Sequence, residues 1–341
     1  MNKESPLVCI CVPTYNVEGT VKESIETILS QSYKNLVVHV SDNCSTDATL
    51  SVIESIGDSR ITLHRHEINV GGEGNFTRCI ELAEGKYTAI FHADDLYEPE
   101  MVAKQVTFLE SNPNICAVFT TATLIDENGR ALPDVWSPPF DARQKVAIYD
   151  FNKLLKTTLL HHNFLICPSA MVRTETYKKV IKVWGCDLFK SASDVDTWLR
   201  LAQSAPIAVL NDPLMRYRIS SAQYSDINRK RTTRADFFLV MDEYLSRPEA
   251  KNILTDEDYQ RYGWLLRHEN VACAINLLAI GDVEKAKTLL NGIFCRDSLF
   301  AALATRRGFL TLTTGLLLRF LIFIGASSKS ATIINKIKRI A

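Results

Sequence analysis

The chain has no net charge, no Cys-x-x-Cys pair, no Gly-x-Gly-x-x-Gly turn and no uninterrupted apolar run of the ~20 residues that a spanning helix needs. Each absence excludes something. Lysine plus arginine and aspartate plus glutamate both number 39, so no global field draws the protein to nucleic acid, and any attraction to a charged surface must be local. The nine cysteines are odd in number and mostly sit in apolar runs, which fits reduced core residues of a cytosolic protein rather than a disulfide or zinc framework. The turn after the first apolar run is Pro13-Thr14-Tyr15-Asn16, without the glycines that let a backbone approach a dinucleotide pyrophosphate, which excludes a dehydrogenase. Residues 1–6 carry no apolar leader, so export is not expected.

What is present is an alternation. Short β-rich runs at 7–12, 36–40, 60–64, 87–91 and 115–120 are separated by helical patterns at 18–31, from Ser45-Thr46-Asp47 to 56, at 75–83 and at 100–110. This spacing predicts parallel βαβ units with helices on both faces of a buried sheet. Asp126-Glu-Asn-Gly129 is a turn signal, and 130–145 reads as a loop or partial strand over the sheet edge. Further helices are expected at 151–159, 175–183 and from Asp194 through 202, with strands near 169–172, 206–210 and 214–219. Beyond about residue 226 only helical periodicity remains, at 234–245, 256–280 and 282–293. Residues 298–341 contain no acidic residue but seven basic ones, Arg306, Arg307, Arg319, Lys329, Lys336, Lys338 and Arg339. Within them 308–325 is rich in Leu, Phe and Ile yet interrupted by threonines and Arg319, which suits a helix lying in an anionic membrane interface better than one spanning it. A buried C-terminal helix is the alternative.

The most informative stretch runs from Lys86 to Pro99. A β-favouring run stops at His92-Ala-Asp94-Asp95, delivering two carboxylates to the end of a strand, where ligands of open α/β sheets collect. Paired carboxylates without nearby cysteine suit a hard cation, Mg²⁺ or Mn²⁺. Taken alone, a solvated Asp-Asp turn explains them equally well.

Four motifs in order remove that ambiguity. They are Cys-Val-Pro13-Thr14-Tyr15-Asn16, then Ser-Asp42-Asn-Cys-Ser-Thr-Asp47, then Asn69-x-Gly71 through Asn75 and Gly85 into His92-Ala-Asp94-Asp95, and finally Ser193-Asp194-x-Asp196-x-Trp198-Leu-Arg-Leu. Together they resemble the GT-A fold, inverting glycosyltransferases of family 2, which build bacterial polysaccharides, over roughly residues 6–225. The resemblance implies a catalytic domain at 1–225, with a nucleotide-binding half at 1–98 and an acceptor half at 99–225, then a helical region at 226–297 and the basic apolar tail at 298–341. It implies nucleotide contacts from Pro13, Thr14, Tyr15, Asn16, Asp42, Gly71, Asn75 and Asp94. Asp95 is then the direct ligand of Mn²⁺ or Mg²⁺, with Asp94 reaching the ribose or a metal-bound water. Asp194 is the general base, kept ionised by its helix N-terminus, with Asp196 as rival. Arg218, in Tyr217-Arg-Ile-Ser220, could contact a diphosphate, or form a surface ion pair. Serine there replaces a family histidine. His92 stands where many members carry an acidic residue, and is read as a hydrogen-bonded structural residue rather than a metal ligand. His161-His162 has no carboxylate or cysteine at zinc spacing.

The implied donor is a nucleotide-diphosphate sugar, UDP-linked in most of the family, and the acceptor a saccharide or lipid-linked saccharide. The expected location is the cytoplasmic face of the cell membrane, peripherally bound. A sugar nucleotidyltransferase, or an inactive nucleotide-sugar-binding module, is the alternative; the former lacks its glycine- and arginine-rich loop here.

Overall fold

The computed structural model describes residues 5–136, 139–185, 188–219 and 231–325. They fall into two compact units that divide at Ser221. Cys186, Ser220, the 225/226 boundary and the tail cations Lys329, Lys336, Lys338 and Arg339 lie outside the described residues.

The first unit is built on one mixed sheet whose longest pairings are parallel. Strands β1 (Val8–Thr14), β2 (Leu36–Asp42), β3 (Ile61–Arg65) and β4 (Tyr87–Ile90) form a parallel block in the order β3-β2-β1-β4. Val8 through Val12 are all fully buried, which requires both faces of β1 to be covered and explains the continuous apolar run. The sheet continues through β9 (Met171–Arg173), antiparallel to β4 and to β6 (Ala117–Ile125), and then through β10 (Ile207–Arg218), parallel to β6. The short strand β5 (Leu96–Tyr97) closes it, antiparallel to β10. Strand β7 (Ala131–Trp136) folds back on β6 across the Asp126–Gly129 turn, and β8 (Val146–Tyr149) pairs with β10. One apolar core runs beneath β1, β2, β4, β6 and β10 and includes Ile10, Val38, Ala89, Val118 and Ala208.

Three local expectations change. The two strands expected at 206–219 are one strand, β10, with register shifts on either side of Pro213. A proline cannot donate to a ladder and is accommodated at such a bulge, and the Asn211 amide braces the bend by donating to the carbonyls of Ala142 and Gln144. Helix α3 (Gly71–Leu82) begins four residues before the expected start, because Asn43 reaches across to it, accepting from the Val70 N–H and donating to the Gly71 carbonyl. Helix α2 (Thr49–Ile56) has Ala48 at its cap rather than a residue of Ser45-Thr46-Asp47, although Asp47 Oδ1 accepts the Thr49 N–H at 3.0 Å. Ser45 is bound instead to Asp42 and Asn16.

The second unit is helical. Helix α7 (Asp236–Ser246) precedes the long α8 (Asp256–Ala279), which opens on a capping box between Thr255 and Asp258. After α9 (Val283–Leu289) come α10 (Arg296–Ala304) and α11 (Arg306–Phe323). Val271, Ala274, Leu278, Leu290 and Leu318 form its core. A Cβ on Gly315 would sit 2.7 Å from Ile293, so glycine is what lets α11 pack this close. The buried face of α11 is Leu312, Gly315, Leu318 and Leu321, while Phe309, Leu316, Leu317, Phe320 and Phe323 are exposed. Among the described residues no helix is long and apolar enough to cross a membrane.

Candidate active site

Parallel pairing brings the carboxyl ends of β1, β2 and β4 to one edge. Pro13 and Thr14 do not break β1; they pair opposite Ser41 and Asp42. Tyr15, just past the strand, is exposed. Asn16 has φ of 50°, a left-handed conformation asparagine tolerates better than most residues. Its N–H donates to Ser45 Oγ at 3.0 Å, and its side-chain oxygen accepts from the Thr46 N–H at 2.9 Å.

Two residues expected at the nucleotide are buried and bonded within the chain. Asp42 is fully buried; its Oδ1 accepts from Thr14 Oγ1 at 3.1 Å and Ser45 Oγ at 2.5 Å, and its Oδ2 from the Ser45 N–H at 2.9 Å. Asn75 is buried too, accepting from Ser41 Oγ at 2.7 Å and donating to the Ser41 carbonyl at 2.9 Å. Asp42 ties the ends of β1 and β2 to the Ser45 loop and Asn75 ties α3 to β2, so the surface they support is the turn of Thr14, Tyr15 and Asn16. Gly71 opens α3 with φ of 79°, a conformation that favours glycine.

The loop after β4 is held from beneath. Ser24 Oγ lies 2.9 Å from the His92 carbonyl and 2.8 Å from that of Asp95, and the His92 N–H donates to Tyr97 Oη at 2.6 Å. Asp95 is 1 % exposed. Its Oδ1 accepts the Arg218 N–H at 2.8 Å, while its Oδ2 has no hydrogen-bond partner. Burial, reinforced by Asp94, pushes its carboxyl well above the usual carboxylate range. Asp94 beside it is partly accessible. One ligand atom each from His92, Asp94 and Asp95 lie within 4.8 Å of one another. A buried carboxylate oxygen left without a donor is costly, and a divalent cation would satisfy it. The residues present therefore fit such an ion.

His92 departs from expectation. Its backbone is hydrogen-bonded, but its ring Nε2 is buried without a partner and its Nδ1 stands 3.9 Å from Asp95 Oδ2, beyond hydrogen-bond reach. Burial lowers its pKa, favouring the neutral ring.

Arg218 does form an ion pair, with Glu23, but from a buried position rather than on the surface. It is 4 % exposed, and the β10 bulge carries it to the loop, where its Nε donates to the Asp94 carbonyl at 2.7 Å. Nη1 donates to the carbonyls of Asp126 and Glu127, and Nη2 to Glu23 at 2.9 Å. This guanidinium fixes the carboxylate loop from 124 residues away. Arg218→Met is expected to cost about 3–5 kcal/mol, because it leaves buried carbonyls unsatisfied; urea unfolding against the wild type measures it, and a loss under 1 kcal/mol would contradict the clamp.

Asp194 lies in the first turn of α6 (Ser193–Ser204), after a 3₁₀ turn at Lys190–Ala192. Its Oδ1 accepts the Val195 N–H at 2.8 Å and its Oδ2 the Asn163 amide at 2.6 Å. Burial outweighs these bonds and pushes the carboxyl up to about 6, so the helix N-terminus does not hold it at an ordinary value. Asp196 is paired with Arg200 at 2.8 Å, whereas the Val195 N–H and the Asn163 amide that bond Asp194 are neutral. Tyr217 and Cys167 are both raised chiefly by burial, and both also feel Asp95 and Asp194.

Sequence reasoning missed Glu23, Asn163 and the wall formed by Phe76, which lies 5.6 Å from the His92 ring and 4.7 Å from Trp184. None sits in a motif; each matters only through partners distant in the chain.

Comparison with known proteins accords with this geometry. The model of glycosyl transferase family 2 matches residues 9–181. An uncharacterized glycosyltransferase of Methanocaldococcus jannaschii is 31 % identical over 221 residues, 63 % of this chain and 72 % of that protein. The Escherichia coli UDP-Glc:alpha-D-GlcNAc-diphosphoundecaprenol beta-1,3-glucosyltransferase WfgD is 26 % identical over 247 residues, 72 % of this chain and 89 % of its own. Among solved structures, S. aureus TarS 1-349 in complex with UDP-GlcNAc superposes with a TM-score of 0.59 at 19 % identity, covering 98 % of this chain and 91 % of that one. At that identity the likeness speaks to the fold, which is of the GT-A kind with a helical region after it. The sequence match supplies the rest, and with half the chain matched by one family's model and its strand ends carrying that family's motifs, this protein belongs to glycosyl transferase family 2.

Proposed function

We propose that this glycosyltransferase moves one sugar, with inversion, from a UDP-sugar to a saccharide carried on a lipid diphosphate, at an anionic membrane surface on the cytoplasmic side, during cell-surface polysaccharide synthesis. The observation that carries the reading is the division of labour among the carboxylates. Asp194, bonded to the Val195 N–H and the Asn163 amide and raised by burial only to about 6, is ionised at neutral pH and suited to take the acceptor hydroxyl proton. Asp94 and Asp95 sit at the strand end where the donor's diphosphate would lie. A divalent cation bound there would stabilise the charge developing on the leaving diphosphate. The turn of Thr14, Tyr15 and Asn16, braced by Asp42, offers the nucleotide face. A uridine donor is supported by the UDP-GlcNAc complex of TarS, and a lipid diphosphate acceptor by the diphosphoundecaprenol-linked substrate of WfgD. The test is a panel of nucleotide sugars with Mn²⁺, reading released nucleoside diphosphate; turnover with a non-uridine donor alone would overturn the donor assignment.

The membrane part of the proposal rests on α11. Phe309, Leu316, Leu317, Phe320 and Phe323 recur at helical spacing on its exposed side, Phe323 being 86 % exposed. Arg306 and Arg319 lie on the same helix, and no acid follows Asp297. Such a helix buries its apolar stripe at an anionic interface. The double variant Phe320→Asp, Phe323→Asp is expected to reduce pelleting with phosphatidylglycerol vesicles about tenfold without loss of fold, since neither side chain packs in the core. Undiminished pelleting would refute the assignment.

A further inference from the structure

The proposed role of a cation leaves His92 unexplained, and its geometry goes beyond that reading while resting on it. We infer that the His92 imidazole is itself a ligand, so that the cation site is His92, Asp94 and Asp95, one nitrogen and two carboxylates, and selects Mn²⁺ over Mg²⁺.

Three observations carry this. The backbone around His92 is fixed independently of its ring: the N–H donates to Tyr97 Oη, the carbonyl accepts from Ser24 Oγ and Tyr97 Oη, and Tyr97 stacks on Phe91 with ring centroids 4.0 Å apart. The ring is therefore not needed to hold the loop. It is nevertheless held in place, against the edge of Phe76 at 5.6 Å and an interplanar angle of 90°. Lastly, the ring and the carboxylate each hold a buried polar atom without a partner, His92 Nε2 and Asp95 Oδ2. Asp95 Oδ2 is buried and unpartnered, and His92 Nδ1 lies 3.9 Å from it. A direct ion pair would draw these atoms to about 2.8 Å. Two ligands of one ion, each about 2.1 Å from it, stand no more than about 4.2 Å apart. The observed separation falls between the two, where a shared ion fits and a hydrogen bond does not.

The donor set has chemical consequences. A neutral imidazole with two carboxylates supplies two negative charges, matching a divalent cation. Mg²⁺ prefers oxygen ligands and keeps its waters, whereas imidazole suits transition metals. Replacing nitrogen by oxygen at residue 92 should therefore alter which ion is bound rather than whether one is bound.

The experiment uses the full chain, labelled with ¹⁵N-histidine or unlabelled, with UDP and Mn²⁺, read by electron spin-echo envelope modulation and by Mn²⁺ and Mg²⁺ titration. Expected are a ¹⁴N modulation from a coordinated imidazole, replaced by ¹⁵N on labelling; loss of the nitrogen signal in both His92→Phe and His92→Asp; Mn²⁺ affinity weakened ~10-fold or more in His92→Phe; and a Mn²⁺/Mg²⁺ affinity ratio about tenfold lower in His92→Asp. Mn²⁺ bound by the wild type with no histidine modulation would overturn the inference while leaving a carboxylate metal site standing. No Mn²⁺ bound in the presence of UDP would overturn both. If a variant fails to fold by circular dichroism, the labelled wild-type spectrum still decides.

Discussion

Asp194→Asn is expected to lower kcat by ~10²–10⁴-fold, the contribution of a positioned general base, while leaving UDP affinity unchanged within a factor of about two. The substitution keeps the shape of the side chain and an oxygen for the Val195 N–H, 2.8 Å away. It removes the negative charge and replaces one oxygen near the Asn163 amide by a second amide, at a cost of roughly one hydrogen bond. The pH dependence gives an independent reading. Burial pushes the Asp194 carboxyl up to about 6; a base works only when ionised, so kcat is present above that pH and falls tenfold per unit as pH drops below it. In the asparagine variant the residual rate loses this limb. Asp196→Asn, by contrast, breaks the Arg200 pair and should act mainly on stability. Retention of more than a tenth of kcat in Asp194→Asn, with the acidic limb intact, would return the role to Asp196.

The positions of Asp94 and Asp95 and of Asp194 and Asp196 were legible in the sequence because local chemistry sets them. A strand that ends abruptly in carboxylates, and a helix that begins with them, place their side chains at element ends whatever the rest of the chain does. The direction in which a carboxylate faces was not legible. Asp42 stands at a strand end as expected, yet Thr14 and Ser45 turn it inward, and nothing in the spacing of Ser-Asp-Asn-Cys-Ser distinguishes a ligand contact from a loop brace. Arg218 is the stronger case. Its burial depends on a bulge at Pro213 and on partners at Glu23, Asp94 and Glu127, contacts that no periodicity reports. The same holds for the sheet. The parallel block β3-β2-β1-β4 follows from alternation of strands and helices, whereas insertion of the three-residue β9 antiparallel between β4 and β6 is a tertiary choice made by a segment too short to carry a pattern. His92 shows the limit most plainly. The sequence marks it as a departure, and only the unpartnered atoms of its ring and of Asp95 show what the departure leaves unsatisfied.

Asp95→Asn should separate stability from function in opposite directions. In the unliganded protein Asp95 is 1 % exposed with one oxygen bonded to the Arg218 N–H and the other unpartnered. A buried, half-satisfied carboxylate costs several kcal/mol when ionised. An amide of the same shape keeps the Arg218 bond through its oxygen and exchanges the unpaired charge for an unpaired N–H, which costs about 1–3 kcal/mol. The unliganded variant is therefore expected to be as stable as the wild type or about 1–2 kcal/mol more so, read as a Tm raised by a few degrees. Function moves the other way, because the oxygen that is a burden without a cation is the one that would bind it. Addition of Mn²⁺ with UDP should raise the wild-type Tm, since a ligand that binds only the folded state stabilises it; the same addition should leave the Asp95→Asn Tm unchanged, and sugar transfer should fall at least ~10²-fold. A residue kept purely for the fold would behave otherwise, losing stability on substitution and retaining its response to Mn²⁺. That result would show Asp95 to be a brace for Arg218 and leave Asp94 as the only carboxylate of the loop available to the donor.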